Sequence, residues 1–179
     1  DSVLNLRIRM PITGSYNKRN FITKITTYEK VCSVPNSMTV LPELLPYVLE
    51  MMKNKDTGTI NLTNPGLISH NEILDMYKEI VDPEFTYNNF SIEEQRAILA
   101  ADRSNNYLDT TKLESLFPNI LNIKESIRNC LIQYKDTLPK RELINEEKQI
   151  IPIQLPLIIE DKKVNLLITG GCGFILSLI

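Results

Sequence analysis

Residues Val164-Asn165-Leu166-Leu167-Ile168-Thr169-Gly170-Gly171-Cys172-Gly173 carry the pattern that decides the fold class. The first six form an apolar run suited to a buried parallel strand, and the glycines follow without a break. In a dinucleotide-binding α/β unit, such glycines make the tight strand-to-helix turn and let backbone N–H groups approach a pyrophosphate. The pattern therefore predicts a strand and turn in which Gly170 and Gly173 contact a dinucleotide.

The match to the dinucleotide motif is partial. Gly170 and Gly173 have the G-x-x-G spacing, but Leu176 stands where a third glycine is expected. Neither a helix pattern nor an acidic residue follows in the printed sequence. A hydrophobic tail with a glycine turn is the alternative interpretation. Because such a turn normally opens a domain, we expect residues 162–179 to be the first strand and glycine turn of a second, truncated NAD(P)-binding domain of Rossmann type.

The composition is typical of a soluble, intracellular protein. The chain has 179 residues, of which 42% are hydrophobic and 23% charged, which is enough for about one core. A net charge of −2 does not indicate binding to nucleic acid or to an anionic membrane. No apolar run reaches the roughly 18 residues of a membrane span. With three scattered cysteines and one histidine, we expect a cytoplasmic protein without a metal site.

Strand and helix patterns alternate along the rest of the chain. The predicted elements are strands at 3–9, 30–34 and 59–63, helices at 21–28 and 41–52, and helices that start at the caps Ser69, Ser91 and Asn122. Residues 136–161 contain three prolines and mixed charged clusters, which indicates a linker. The sequence predicts a mixed α/β fold that lacks several strands of a complete sheet. The strand at 4–9 should therefore lack the sheet neighbours that an upstream domain would provide.

Few residues in the middle of the chain indicate chemistry. None of the seven tyrosines has a lysine four positions later, the spacing that lowers the pKa of the proton-donating tyrosine in short-chain reductases. His70 lies inside the Ser69 capping box, where a helix-start role is favoured over catalysis. The polar cluster from Arg103 to Asp109 suits sugar hydroxyls or phosphates. Equally, it suits a polar loop in which Asp109 caps the next helix.

Several motifs, in matching order and spacing over about residues 4–133, resemble the C-terminal part of a nucleotide-sugar reductase. They are Leu6-Arg7-Ile8-Arg9-Met10-Pro11-Ile12, Asn20-Phe21-Ile22-Thr23-Lys24-Ile25, Pro35-Asn36-Ser37-Met38-Thr39-Val40, Asn64-Pro65-Gly66, Ser69-His70-Asn71-Glu72-Ile73-Leu74 and Arg103-Ser104-Asn105-Asn106. The resemblance is to the plant-type bifunctional UDP-4-keto-6-deoxyglucose 3,5-epimerase/4-reductases of UDP-rhamnose synthesis. That family is itself similar to bacterial dTDP-4-dehydrorhamnose reductase.

The resemblance implies an incomplete extended short-chain dehydrogenase/reductase. Residues 1–135 would supply the C-terminal strands and the substrate domain of a Rossmann-type fold. The family's own glycine motif and its Tyr-x-x-x-Lys pair would lie upstream of Asp1, so this chain would hold no catalytic residue. Residues 162–175 resemble the opening of a nucleotide-sugar dehydratase or epimerase of the same superfamily. In the plant enzymes, however, a dehydratase precedes the reductase.

The implied activity is epimerisation of a 4-keto-6-deoxy sugar nucleotide, a UDP or dTDP sugar, followed by reduction with NADPH, with NADH as the alternative cofactor. A non-catalytic reductase-like binding or regulatory module is the alternative, and an incomplete gene model is a third. The matching residues imply that Met10 and Pro11 lie at the sheet edge where ligands bind, with Asn20 and Phe21 close by. Arg103 and Asn105 are the candidates for the substrate pyrophosphate and sugar. Asn20 as a helix cap and Phe21 as a core residue remain alternatives, and the full-length enzyme is a possible homodimer.

Overall fold

The computed structural model describes residues 3–91, 93–94 and 106–139, together with the backbone of residues 166–170. The strands are β1 (Leu4–Ile8), β2 (Pro11–Ile12), β3 (Lys30–Val31), β4 (Thr39–Val40), β5 (Gly58–Asn61), β6 (Asn88–Asn89) and β7 (Leu166–Gly170). The helices are α1 (Phe21–Ile25), α2 (Leu41–Asn54), α3 (His70–Ile80), α4 (Thr111–Leu116) and α5 (Ile123–Thr137). The predicted mixture of strands and helices is confirmed.

The main sheet has β1 at its centre, in the order β5-β1-β7. Both neighbours run parallel to β1, with Leu4 opposite Gly58 on one side and Leu166 on the other. Residues 166–170 therefore pair with one edge of β1, and β5 pairs with the other. The predicted absence of further strands from an upstream domain stays a prediction.

The first of two hydrophobic clusters lies on one face of this sheet. The alternation in β1 turns Leu4, Leu6 and Ile8 inward, where they pack with Leu44 and Val48 of α2. Pro42 occupies the first turn of α2, where a missing N–H costs nothing, and the helix continues past Pro46 to Asn54. Both the strand and the helix were predicted.

The second cluster packs α1, α3 and α5 together beside β2 and β4. Ser69 starts α3 through the predicted capping box: Glu72 N–H donates to Ser69 Oγ (3.2 Å), and Ser69 N–H donates to Glu72 Oε2 (2.8 Å). The Asn122 side chain caps α5 by accepting from Lys124 N–H (3.0 Å). At Ser91 the same reciprocal bonds with Glu94 are present, and residues 93 and 94 are helical. These three predicted helix starts are confirmed.

The prediction for α1 was too long. The helix ends at Ile25, and Tyr28, predicted on its packed face, is 53% exposed. Thr26 Oγ1 donates to the C=O of Thr23 (3.0 Å), and Thr27 Oγ1 donates to the C=O of Lys24 (2.8 Å). Threonine hydroxyls that bond to carbonyls three residues back compete with the helical ladder. Two such residues in succession therefore end the helix.

Of the proposed linker at 136–161, residues 140–161 lie outside the described residues. Its first two residues belong to α5, which extends to Thr137. The division of the chain into 1–135, 136–161 and 162–179 stays a prediction. None of the described helices is both long enough and apolar enough to cross a membrane.

Candidate functional site at the carboxyl end of β1

The predicted substrate residues Met10 and Pro11 lie directly after β1. Pro11 begins β2 and pairs in parallel with Thr39 of β4. Met10 has a φ of 43°, a left-handed backbone conformation that is uncommon for a residue with a side chain and is often found at ligand sites. The chain therefore turns sharply at Met10, whose half-buried side chain packs against the second cluster.

A buried threonine holds the strand ends together. The N–H of Arg9 donates to Thr39 Oγ1 (3.0 Å), and the Thr39 hydroxyl donates to the C=O of Leu62 (2.8 Å). Leu62 N–H donates in turn to the C=O of Arg7 (2.7 Å). Because Thr39 is fully buried, these bonds set the positions of the carboxyl ends of β1 and β5 relative to β4.

Asn20 connects α1 to the loop that follows β2. Its amide donates to the C=O of Thr13 (2.8 Å) and of Ser15 (2.9 Å). Its Oδ1 accepts from the N–H of Ile22 (3.4 Å) and of Thr13 (3.5 Å). The side chain is 6% exposed, so Asn20 acts here as a helix cap and loop clamp. A direct hydrogen bond to a substrate would require one of these contacts to be exchanged.

Phe21 lies half-buried beside Asn20, and its ring contacts that of His70. The ring centroids are 5.4 Å apart, and the planes are tilted by 52°. His70 is the first residue of α3, the helix-start position that the capping box predicts. One side of the Phe21 ring is therefore used for packing between α1 and α3, which fits the core interpretation of this residue. Its stacking on a substrate stays a prediction.

Arg103 and Asn105 lie outside the described residues, but the chain that follows them is held close to β1. Asn106 N–H donates to Asn36 Oδ1 (3.1 Å), and Asn106 C=O accepts from Ser37 N–H (3.0 Å). The Arg9 guanidinium donates to the same Asn36 oxygen (2.7 Å). The structure therefore places the end of the predicted Arg-Ser-Asn-Asn cluster at the carboxyl end of β1.

Asp109, the last residue of the predicted polar cluster 103–109, takes part in starting a helix. Its Oδ1 accepts from the Thr111 hydroxyl (2.6 Å) and the Thr111 N–H (3.0 Å). These two bonds, with the hydroxyl contributing more, lower the pKa of the Asp109 carboxyl. The N-cap residue of α4 is Thr110, so Asp109 supports the helix start from one position before the predicted cap. The alternatives for Arg103 and Asn105 are unchanged.

Gly170 is the last residue of β7 and pairs with Ile8 of β1. It lies at the carboxyl edge of the sheet, which is where a dinucleotide-binding turn has to begin. Gly173 lies outside the described residues, so the geometry of the turn is not part of the described site. The role of both glycines in binding a cofactor stays a prediction.

A separate cleft of about 180 Å³ lies between the start of α2 and α5. None of the described substrate candidates, Met10, Pro11, Asn20 and Phe21, lines it. Its lining residues are Val40, Pro42, Glu43, Leu121, Ser126, Asn129, Cys130 and Gln133. This cleft therefore does not coincide with the described part of the candidate site at the edge of the sheet.

Three buried polar residues of the site were not identified as site residues from the sequence: Asn36, Ser37 and Thr39. Each makes a hydrogen bond to another segment, and Leu108 N–H, for example, donates to Ser37 Oγ (2.9 Å). The available signal was a run of polar residues set between the apolar residues Val34, Met38 and Val40. Buried polar side chains require hydrogen-bond partners, so this pattern indicates long-range contacts but does not identify the partner residues.

No protein-family profile matches the chain. The bifunctional dTDP-4-dehydrorhamnose 3,5-epimerase/dTDP-4-dehydrorhamnose reductase of Arabidopsis thaliana is 56% identical over 128 residues, which are 71% of this chain and 42% of that protein. The crystal structure of the L780 UDP-rhamnose synthase of Acanthamoeba polyphaga mimivirus matches with a TM-score of 0.70 at 55% identity. This match covers 73% of this chain and 46% of that one.

A more distant structure supports the fold alone. The dTDP-4-dehydrorhamnose reductase of Yersinia enterocolitica matches with a TM-score of 0.57 at 17% identity, over 73% of this chain and 49% of that one. The fold of this chain is therefore similar to part of the α/β fold of these reductases. The chain spans about half the length of the first curated relatives it matches, or less.

Proposed function

We propose that this chain is the C-terminal part of a nucleotide-sugar 3,5-epimerase/4-reductase. The enzyme would convert a 4-keto-6-deoxy sugar nucleotide, a UDP or dTDP sugar, to the rhamnose nucleotide. The observation that carries this proposal is the 55% identity to a UDP-rhamnose synthase over 73% of the chain. The Arabidopsis epimerase/reductase, 56% identical, supports the same activity and disfavours a non-catalytic module.

The geometry at β1 fits a substrate site. In open α/β sheets, ligands bind outside the carboxyl ends of the strands, and Met10 and Pro11 lie there. Asn20 reaches the loop after β2 through Thr13, so α1 and Phe21 belong to the same end of the molecule. We propose that Met10, Pro11 and Phe21 contact the nucleotide-sugar and that Asn20 orders the loop beside it.

In this proposal Arg103 and Asn105 bind the pyrophosphate and the sugar. A guanidinium offers several donors in one plane, which suits a phosphate, and an amide offers both a donor and an acceptor to sugar hydroxyls. Asn106, the next residue in the sequence, is bonded to Asn36 beside Arg9. This contact supports a common site for the cluster and the end of β1.

The chemistry itself needs groups outside this chain. Epimerisation at C3 and C5 requires side chains that remove and return protons next to the C4 ketone. NADPH supplies the hydride for C4 when it is bound, and the tyrosine of a Tyr-x-x-x-Lys pair supplies the proton. Gly170 and Gly173 are proposed to open a second dinucleotide-binding domain. A cytoplasmic, homodimeric enzyme is the corresponding proposal for the full-length protein.

The test is to compare the full-length protein with residues 1–179. With a UDP-4-keto-6-deoxy sugar, the full-length protein should oxidise NADPH and yield the rhamnose nucleotide, whereas the fragment should do neither and should bind NADPH weakly. Turnover by the fragment, or its absence in the full-length protein, would contradict the proposal.

The arginine assignment is tested by titration calorimetry of the full-length protein with UDP and with NADPH. Arg103→Ala should weaken UDP binding by roughly 1.5–3 kcal/mol, the range for a hydrogen bond to a charged group, and leave NADPH binding unchanged. Arg103→Lys should recover only part of the affinity, because an ammonium cannot make a planar two-pronged contact. Unchanged UDP affinity with a lower Tm would show that Arg103 is structural.

A further inference from the structure

Asn36 lies between β3 and β4 and is almost completely buried, at 2% exposure. Its backbone forms an isolated antiparallel bridge with Ile68: Asn36 N–H donates to the C=O of Ile68 (3.0 Å), and Ile68 N–H donates back to Asn36 C=O (3.2 Å). These two bonds hold the main chain in place without using the side chain. The amide of Asn36 is therefore available for contacts with other segments.

The Asn36 amide joins three parts of the chain. Oδ1 accepts both from the Arg9 guanidinium (2.7 Å) and from Asn106 N–H (3.1 Å), while Nδ2 donates to the C=O of Val34 (2.9 Å). Arg9 follows β1, and Asn106 is 70 residues from Asn36 in the sequence. One oxygen thus connects the end of β1 directly to the segment that begins at Asn106, which Ser37 also holds through hydrogen bonds to Asn106 C=O and Leu108 N–H.

The type of residue matters at this position. Asparagine combines an acceptor with two lone pairs and a donor in one short planar group. Aspartate would keep the acceptor for Arg9 and Asn106 but would place an oxygen against the Val34 carbonyl. Alanine would remove all three bonds, including the acceptor that the half-buried Arg9 and Asn106 share, which is costly.

We infer that Asn36 is a positioning residue of the nucleotide-sugar site, which holds Arg9 and Asn106 in a fixed arrangement beside Met10 and Pro11. It acts on the substrate through these neighbours and makes no contact with reacting atoms. The identity of the ligand rests on the proposed function, but the contact between Asn36, Arg9 and Asn106 does not.

The first experiment measures this contact without a ligand, by hydrogen exchange in the chain of residues 1–179. Asn36→Ala should speed exchange of the Asn106 amide at least tenfold. The matched control is Asn64→Ala, which also removes a buried amide with several hydrogen bonds but has no recorded bond to Arg9 or Asn106. It should leave the Asn106 amide unchanged. Equal exchange rates at Asn106 in wild type and Asn36→Ala would overturn the positioning role.

The second experiment measures UDP and NADPH affinity in the full-length protein, below the Tm of every variant. Asn36→Ala should raise the Kd for UDP about tenfold and leave that for NADPH unchanged, whereas Asn64→Ala should lower the Tm without changing either. Asn36→Asp should keep the UDP affinity within about threefold of wild type despite a lower Tm, because the acceptor is retained. If both Asn36 variants change only the Tm, or weaken UDP binding equally, the inference fails. If wild type does not bind UDP, the proposed function fails instead, and the exchange result still tests the contact.

Discussion

Replacing Asn64 with alanine should be among the most destabilising single changes in the chain. Asn64 follows β5 and is fully buried. Its Oδ1 accepts from Val40 N–H at the start of α2 (2.9 Å), and its amide donates to Glu43 Oε2 (2.8 Å) and Ser126 Oγ (2.9 Å). Ser126 of α5 also donates to the Glu43 carboxylate. The side chain therefore joins the segment after β5 to the start of α2 and to α5.

The expected loss of stability follows from these bonds. A hydrogen bond to a charged carboxylate contributes about 1.5–3 kcal/mol, and leaving the buried Val40 N–H without this acceptor costs about 1–3 kcal/mol. Because neighbouring effects are not additive, we expect Asn64→Ala to lower the free energy of unfolding by about 3 kcal/mol. With an m-value of about 2 kcal/mol/M, the urea midpoint should fall by about 1.5 M.

Urea unfolding of the chain, followed by circular dichroism, measures this change. The matched control is Asn129→Ala, because Asn129 is an exposed asparagine on α5. It should change the free energy of unfolding by no more than about 0.5 kcal/mol. If Asn64→Ala also falls within that range, with an unchanged m-value, the buried contacts of Asn64 with α2 and α5 do not contribute to stability and the reasoning is refuted.

Three further predictions concern pH and backbone geometry. The hydrogen bond from Lys124 lowers the pKa of Glu72, so the stabilisation by this carboxylate is present above its unfolded pKa and is lost as the pH falls through the folded pKa. Glu72→Gln should therefore lower the Tm near neutral pH, and the difference from wild type should disappear once the pH is below the folded pKa of Glu72. Burial raises the pKa of Tyr77 to about 12, so the free energy of unfolding should fall as the pH rises from about 10 towards that value. Tyr77→Phe should lose less stability than wild type over this range, and equal losses would contradict the prediction. Gly66 has a φ of +90°, and an added Cβ would lie 2.7 Å from Asn122 Nδ2. Gly66→Ala should therefore lower the free energy of unfolding by at least about 1 kcal/mol, measured in urea. An unchanged midpoint would show that the turn relaxes.

Local patterns predicted individual elements well. The alternation of Leu4, Leu6 and Ile8 identified β1 and its buried face, and the spacing of Ser69 and Glu72 identified the start of α3. Both signals act within a few residues, where side-chain periodicity and capping bonds determine the backbone directly. The end of α1 was missed because the hydroxyls of two successive threonines outweighed the apolar spacing that extended to Tyr28.

The sequence by itself determined the class of fold, the residues of most elements and the glycine turn signal that follows β7. Only the tertiary structure decided that β7 lies beside β1 and that Arg9, Asn36 and Asn106 meet at one oxygen. The reason is physical: strand pairing and buried amide contacts join groups that are far apart in the chain. For each donor or acceptor the sequence offers many chemically equivalent partners, and packing of the whole fold selects one of them.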